Sequence, residues 1–326
     1  GVLITPNHSC HADPTVLYWV ADQLKMPFYF MATWQIFQRA SWIRLLVLRQ
    51  LGCFSVDRDG TDIRAFKQAV EILEDKPYPL VIFPEGEIYH INKQVTPFRD
   101  GPAAIALMAG KHNKRPISCI PCGIRYQYIE DPTEELLDLM DRLETQILWR
   151  PKREQVQQQR IYHFAGAILV LKEQEYLGHA QQGDLPDRIH PLVEFILSEL
   201  EDKYGIPDRT ATLPERVKLC RRKAIRRIED VTLSEDEHTA ARIDLDDLFV
   251  VTQLFSYPGT VSTGTPTIEE IAETMDKFEE DVIRAPSSAI RGTRRAIIEF
   301  GEPIRVQGGK NQTHALTEQL ECRVQE

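Results

Sequence analysis

Val2-Leu3-Ile4-Thr5, then Asn7-His8-Ser9-Cys10-His11-Ala12-Asp13-Pro14, is the stretch on which the reading of this chain turns. The first run is short, apolar and β-branched, and reads as a buried strand. Asp13-Pro14 reads as a helix start, with Asp13 as N-cap, Pro14 at the first helical position and the helix running to Leu24. A strand that feeds a helix through a tight turn is the repeating unit of layered α/β folds. Here the turn itself carries two imidazoles, a thiol, a hydroxyl and a carboxylate.

The alternation continues outward from this turn. Phe28 to Met31 and Cys53 to Val56 read as strands, and Trp34 to Leu51 between them as one amphipathic helix. Asp57-Arg58-Asp59-Gly60 reads as a turn, and Thr61 to Leu73 as a helix. Leu80 to Phe83 is a short buried strand that Pro84-Glu85-Gly86 breaks. Gly101 to Gly110 is a small-residue helix, and Ile117 to Tyr128 is a further strand. This pattern predicts an α/β fold with a mostly parallel sheet flanked by helices.

From Asp131 the period changes. Leu136, Leu139, Met140, Leu143 and Ile147 recur at helical spacing, as do Ile189, Leu192, Val193, Ile196 and Leu200. Residues 131–292 are therefore expected to form a large all-helical insertion or second domain. A strand pattern returns at Arg295 to Ile304. A lone strand there has no local partner, so it is expected to rejoin the first sheet. The expected organisation is an α/β domain of residues 1–130 plus 293–306, a helical domain of 131–292, and a polar, mobile tail of 307–326.

The 326 residues carry a net charge of −10, which argues against a nucleic-acid partner. Six scattered cysteines point to a reduced, cytoplasmic setting. Cys119-x-x-Cys122 lies in an apolar run without a second pair, and reads as buried strand, not as a metal site. No apolar run approaches the ~18 residues of a membrane span. The chain opens on Gly1 inside an apolar strand, so residues upstream are expected.

Five positions and a turn can bring His8 and Asp13 into hydrogen-bond reach. The carboxylate would then hold one ring nitrogen as N–H and leave the other as a base. Asp13 can equally be only a cap, and His8 only a loop residue. A zinc site of His8, His11 and Asp13 is a third reading, although the spacing departs from the usual crowded metallo-hydrolase loop. Cys10 and Ser9 lie outside any Gly-x-Ser-x-Gly elbow. Glu85 and Gly86 sit at a strand end, where α/β sheets bind ligands. Arg58 follows another strand, and Arg99 precedes the small-residue helix; both are placed to hold an anion.

Taken in order, Asn7-His8 to Asp13, Gly52-Cys53-Phe54-Ser55-Val56-Asp57-Arg58, Phe83-Pro84-Glu85-Gly86 and Ile120-Pro121-Cys122-Gly123-Ile124 resemble the four motifs of the glycerolipid acyltransferases, the 1-acylglycerol-3-phosphate acyltransferases and relatives. Phe98-Arg99-Asp100-Gly101 and the late Gly301-Glu302-Pro303-Ile304 fit the same family. The resemblance implies transfer of an acyl group from acyl-CoA or acyl-carrier protein to the hydroxyl of a lysolipid or glycerol-phosphate acceptor, with His8 as base and Asp13 orienting it. It implies acceptor binding by Arg58, Glu85, Gly86 and Arg99, no metal and no bound cofactor. It also implies a peripheral place on the membrane. Trp34-Gln35-Ile36-Phe37 and Trp42-Ile43-Arg44-Leu45-Leu46 have the composition of interfacial helices, and also of helices packed on a sheet. One block departs from the family: Glu87-Ile88 stands where the family has Thr-Arg, which puts a phosphate-bearing acceptor in doubt. The alternatives are a non-catalytic lipid-binding module on the same fold and a zinc-dependent hydrolase.

Overall fold

The computed structural model describes residues 1–38, 41–58, 62–207, 209–257, 265–306 and 312–326. They form two compact units, Gly1–Gln127 with Arg295–Glu326, and Tyr128–Arg294.

The first unit opens with β1 (Val2–Pro6), α1 (Asp13–Gln23), β2 (Tyr29–Thr33), α2 (Trp34–Gln38) and α3 (Trp42–Gln50). It continues with β3 (Cys53–Val56), α4 (Ile63–Asp75), β4 (Leu80–Val81), α5 (Gly101–His112) and β5 (Ser118–Tyr128). Where one helix is expected over Trp34 to Leu51, there are two. The Ser41 hydroxyl accepts the Arg44 N–H and so caps a fresh helix start. Asp59, Gly60 and Thr61 lie outside the described residues, and α4 begins after Asp62, whose side chain accepts the Ala65 N–H at 2.9 Å.

The second unit is helical: α6 (Thr133–Leu148), α7 (Gln157–Leu177), α8 (Leu185–Tyr204), α9 (Leu213–Glu229), α10 (Glu235–Phe255) and α11 (Ile268–Asp281). Leu136, Leu139, Met140 and Leu143 of α6 pack with Ile161 and Phe164 of α7 and with Met275 and Phe278 of α11. A second cluster joins Leu169 to Leu192, Ile196 and Leu200 of α8, and to Val217, Leu248 and Val251. Buried carboxylates cross-link these helices: Glu144 pairs with Arg160 at 2.7 Å, Glu173 with Arg188 at 2.8 Å and Glu201 with Arg216 at 2.8 Å.

The chain then returns through β6 (Arg294–Phe300), β7 (Ile304–Arg305) and α12 (Thr313–Gln325). The sheet order is β3-β2-β4-β1-β5-β6, with β7 also on β5. The pairs β1–β4, β1–β5, β2–β3 and β2–β4 are parallel. The closing segment runs the other way: Gly301 N–H donates to Pro121 O, and Ile304 pairs with Cys119. The fold is thus α/β, with a mostly parallel sheet between helices.

Period-two alternation sorts the strands onto two faces. Leu3 and Leu80 face a core with α4, α5 and α12, while Ile4 and Val81 face a core with Leu17 and Ala21 of α1. The polar tail needs correction. Residues 307–311 lie outside the described set, but from Thr313 the chain is helical, and Leu316 and Leu320 are buried in the first of these cores. Their spacing of one helical turn puts both on one face, and each buried leucine contributes about 2 kcal/mol.

Candidate active site

The parallel order brings the C-terminal ends of β1, β3 and β4 to one edge of the sheet, where His8 and Asp13 follow β1, Arg58 follows β3, and Glu85 and Gly86 follow β4. Beyond β1 the chain is keyed to β5. The Asn7 side chain donates to Ile124 O at 3.0 Å and accepts the Ile124 N–H at 2.7 Å. This amide continues the ladder by one rung and fixes where His8 begins.

His8 Nδ1 lies 2.9 Å from Asp13 Oδ2. A carboxylate only accepts, so this contact calls for the proton on Nδ1 and leaves Nε2 as the basic nitrogen. The His8 ring stacks on Phe83 at 4.1 Å between centroids, which fixes its plane. Asp13 is fully buried. It takes the Cys10 N–H at 3.0 Å on Oδ2 and the Tyr126 hydroxyl at 2.7 Å on Oδ1. The Ser9 hydroxyl and the Cys10 thiol also point at Oδ1, at 3.5 and 3.4 Å.

These contacts correct the assignment of Asp13 as N-cap. Ala12 occupies that place with no side-chain cap, and Asp13 is the first helical residue. Its carboxylate turns back into the preceding loop because His8, Cys10 and Tyr126 offer it more donors than the helix end does. Burial, followed by the charge of Asp13, pushes the Tyr126 phenol well above its usual range, so it donates to Asp13 and keeps its proton.

Glu85 is buried near the start of the loop after β4. Its Oε1 accepts the His8 backbone N–H at 2.6 Å, and its Oε2 accepts the Thr96 N–H at 3.0 Å and the Thr96 hydroxyl. Desolvation pushes its carboxyl up to about 7, against the pull of the Thr96 and His8 donors, and the charge of Asp13 adds to the rise. Gly86 has φ +77°, a conformation that favours glycine. Arg58 Nη1 donates to Gly86 O, and Arg99 lies against Gly86 from the other side.

All six expected site residues, His8, Asp13, Arg58, Glu85, Gly86 and Arg99, therefore belong to one linked set of contacts. Sequence reading missed Tyr126 and Thr96, whose partners are 113 and 11 positions away. Phe83 was visible as a strand residue, but not as the plate under His8. His11 turns elsewhere, edge-on to His90 at 5.9 Å between centroids. Among the described residues, His8, His11 and Asp13 do not bring three ligand atoms to a common point. Cys119 and Cys122 are buried free thiols, each pushed up to about 12 by burial, as fits interior strand residues.

Residues 1–125 match the family model described as Acyltransferase. That model is the one of the glycerolipid acyltransferases, and the matched stretch holds the motifs Asn7-His8 to Asp13, Gly52 to Arg58, Phe83 to Gly86 and Ile120 to Ile124 in order. No curated protein matches the chain.

Proposed function

We propose that this protein moves a fatty acyl group from acyl-CoA or acyl-carrier protein to the hydroxyl of a glycerolipid or lysophospholipid acceptor. The observation that carries the reading is the His8–Asp13 contact at 2.9 Å, with Asp13 buried and His8 still partly open to solvent.

His8 Nε2 takes the acceptor hydroxyl proton as the oxygen attacks the thioester carbonyl. Asp13 holds the ring in the required tautomer and stabilises the imidazolium that forms. When the tetrahedral intermediate collapses, the C–S bond breaks and the thiolate leaves. The imidazolium returns its proton to the thiolate, so no covalent enzyme intermediate and no cofactor is needed. Tyr126, Ser9 and Cys10 act through Asp13, by fixing its carboxylate. Glu85 aligns the His8 backbone, and Gly86, Arg58 and Arg99 form the wall of the acceptor site.

The acceptor is a lipid, and one face of the unit suits a bilayer surface. No residue of α3 is buried; Trp42 is 76% and Leu46 55% exposed. Arg44 and Arg49 on the same helix would meet anionic head groups. No described helix is long and apolar enough to cross a membrane, and peripheral attachment at the cytoplasmic surface is the proposed mode. Sedimentation with anionic liposomes tests it: Trp42→Ser with Leu46→Ser should lower the bound fraction several-fold, and unchanged binding rules this face out.

The activity is tested by thiol release from one acyl-CoA in the presence of lysolipid acceptors. Acceptor-dependent release supports transfer. Lipid binding without release, equal in wild type and His8→Ala, would mark a non-catalytic binding module instead.

A further inference from the structure

Two cations converge on the turn after β4, and a carboxylate of the same turn already meets both. Arg58 Nη1 lies 3.1 Å from Glu87 Oε2, and Arg99 Nη2 lies 3.9 Å from Glu87 Oε1. The three side chains are all 24% exposed or less, so solvent screens them weakly. Arg99 is pressed against Gly86 so closely that a Cβ there would overlap its Nε. The other carboxylate of the turn does not join them, because both oxygens of Glu85 are engaged by His8 and Thr96. Arg58 Nε and Arg99 Nε are buried and have no acceptor among the described residues.

The charge balance of this cluster is therefore unequal. Among the described residues two guanidiniums face this one carboxylate, which leaves an excess of one positive charge beside the proposed acceptor position. A phosphate monoester brings about −1.5 to −2 near neutral pH, since its second pKa is about 6. It would have to displace Glu87 or be repelled by it. A phosphodiester brings one negative charge, which matches that excess.

Resting on the acyl-transfer reading above, we infer that Glu87 selects the acceptor: by occupying half of the Arg58–Arg99 charge, it tunes the site to a lysolipid whose head group is a phosphodiester, and away from one that ends in a phosphate monoester.

The test compares three acceptors of one chain length: lysophosphatidic acid as monoester, lysophosphatidylglycerol as diester and monoacylglycerol as neutral lipid. Each is assayed by thiol release from one acyl-CoA with wild type, Glu87→Gln and Glu87→Thr. The wild-type kcat/KM should favour the diester over both others. Either substitution should shift the diester-to-monoester ratio toward the monoester by about tenfold or more, because it removes the repelling charge. A wild-type preference for the monoester or the neutral lipid, or a ratio that both variants leave within about twofold, overturns the inference.

His8→Ala separates the two readings. If it abolishes a transfer whose acceptor ratio ignores Glu87, the chemistry stands and the selector fails. If no acceptor turns over, soluble glycerol 3-phosphate and glycerophosphoglycerol are titrated by NMR into wild type and Glu87→Gln. Tighter diester than monoester binding in the wild type, reversed or levelled in the variant, supports the inference. The same response from both proteins, including no binding, overturns it.

Discussion

Both units bury carboxylates, but they satisfy them differently. In the helical unit most of the buried acids are clamped by arginine: Glu144 by Arg160, Glu173 by Arg188, Glu201 by Arg216, and Glu279 by Arg142 and Arg291, while Asp244 is held by Lys203 and Tyr204. At the strand ends of the α/β unit, Asp13 and Glu85 receive backbone N–H groups, hydroxyls and, for Asp13, an imidazole. Glu74 of the α/β unit, far along α4, follows the clamped pattern, with Lys114 and His112 as partners. The consequence shows in proton affinity. Glu173 and Glu279 are held below the usual carboxylate range by their arginines, against the opposing pull of burial. Glu85, with no cation bonded to it among the described residues, is pushed by burial up to about 7.

The sharpest break of this contrast is His8→Ala. It should lower turnover by about 10²–10⁴ while thermal melting stays unchanged, because the ring is partly exposed and is not core. An unchanged rate of thiol release would remove the proposed base. Next is Arg160→Met, which leaves Glu144 buried without its cation. A loss of about 3–5 kcal/mol is expected in denaturant unfolding, and most of it should be recovered when Glu144→Leu is added. Full stability of the single variant would show that these clamps do not carry the helical unit.

The pH dependence should then split by site. Glu85 has a folded-state pKa raised above its unfolded value, so it binds its proton more tightly when folded. Its contribution is fully present below about 4.5 and is lost as pH rises toward about 7, a swing of roughly 3 kcal/mol. Glu85→Gln should abolish that decline. Glu173 and Glu279 have lowered folded-state values, so their contribution holds above about 4.5 and is lost as pH falls further. Hydrogen exchange across pH 2 to 8 reads both trends, and a decline of the same sign at both sites would erase the comparison. The smallest effect is Gly86→Ala. The positive φ and the crowding by Arg99 predict a loss of about 1 kcal/mol, accompanied by a higher acceptor KM. A neutral result in both measurements would mean the turn gives way freely.

How much of this was legible in the sequence depends on distance along the chain. The sheet, the helical region and the six site residues follow from local periodicity and from short motifs, because strand, turn and helix are local events. Asp13 reads as a cap because the same carboxylate can bond the helix end or the loop, and the donors that draw it into the loop include Tyr126, far away on β5, besides His8 and Cys10. The arginine clamps join different helices, so no window of sequence displays them. The division into α2 and α3 needed Ser41 to be weighed as a cap inside an apolar run. In the tail, dense polar residues masked the turn-by-turn recurrence of Leu316 and Leu320.

The way the helical unit is hung from the sheet has one more consequence. The chain departs and comes back through residues that hold each other: Ile129 N–H bonds Thr293 O at 2.8 Å, and Thr293 N–H bonds the Glu130 carboxylate at 2.9 Å. To the sheet, everything in between is a hairpin bend of unusual length. Its stem is closed by its own rungs, so the cost of closing the loop grows only slowly with the amount of chain it encloses. Such a stem can carry cargo of almost any size, and a two-residue turn grafted across it is the natural way to ask what the sheet does alone.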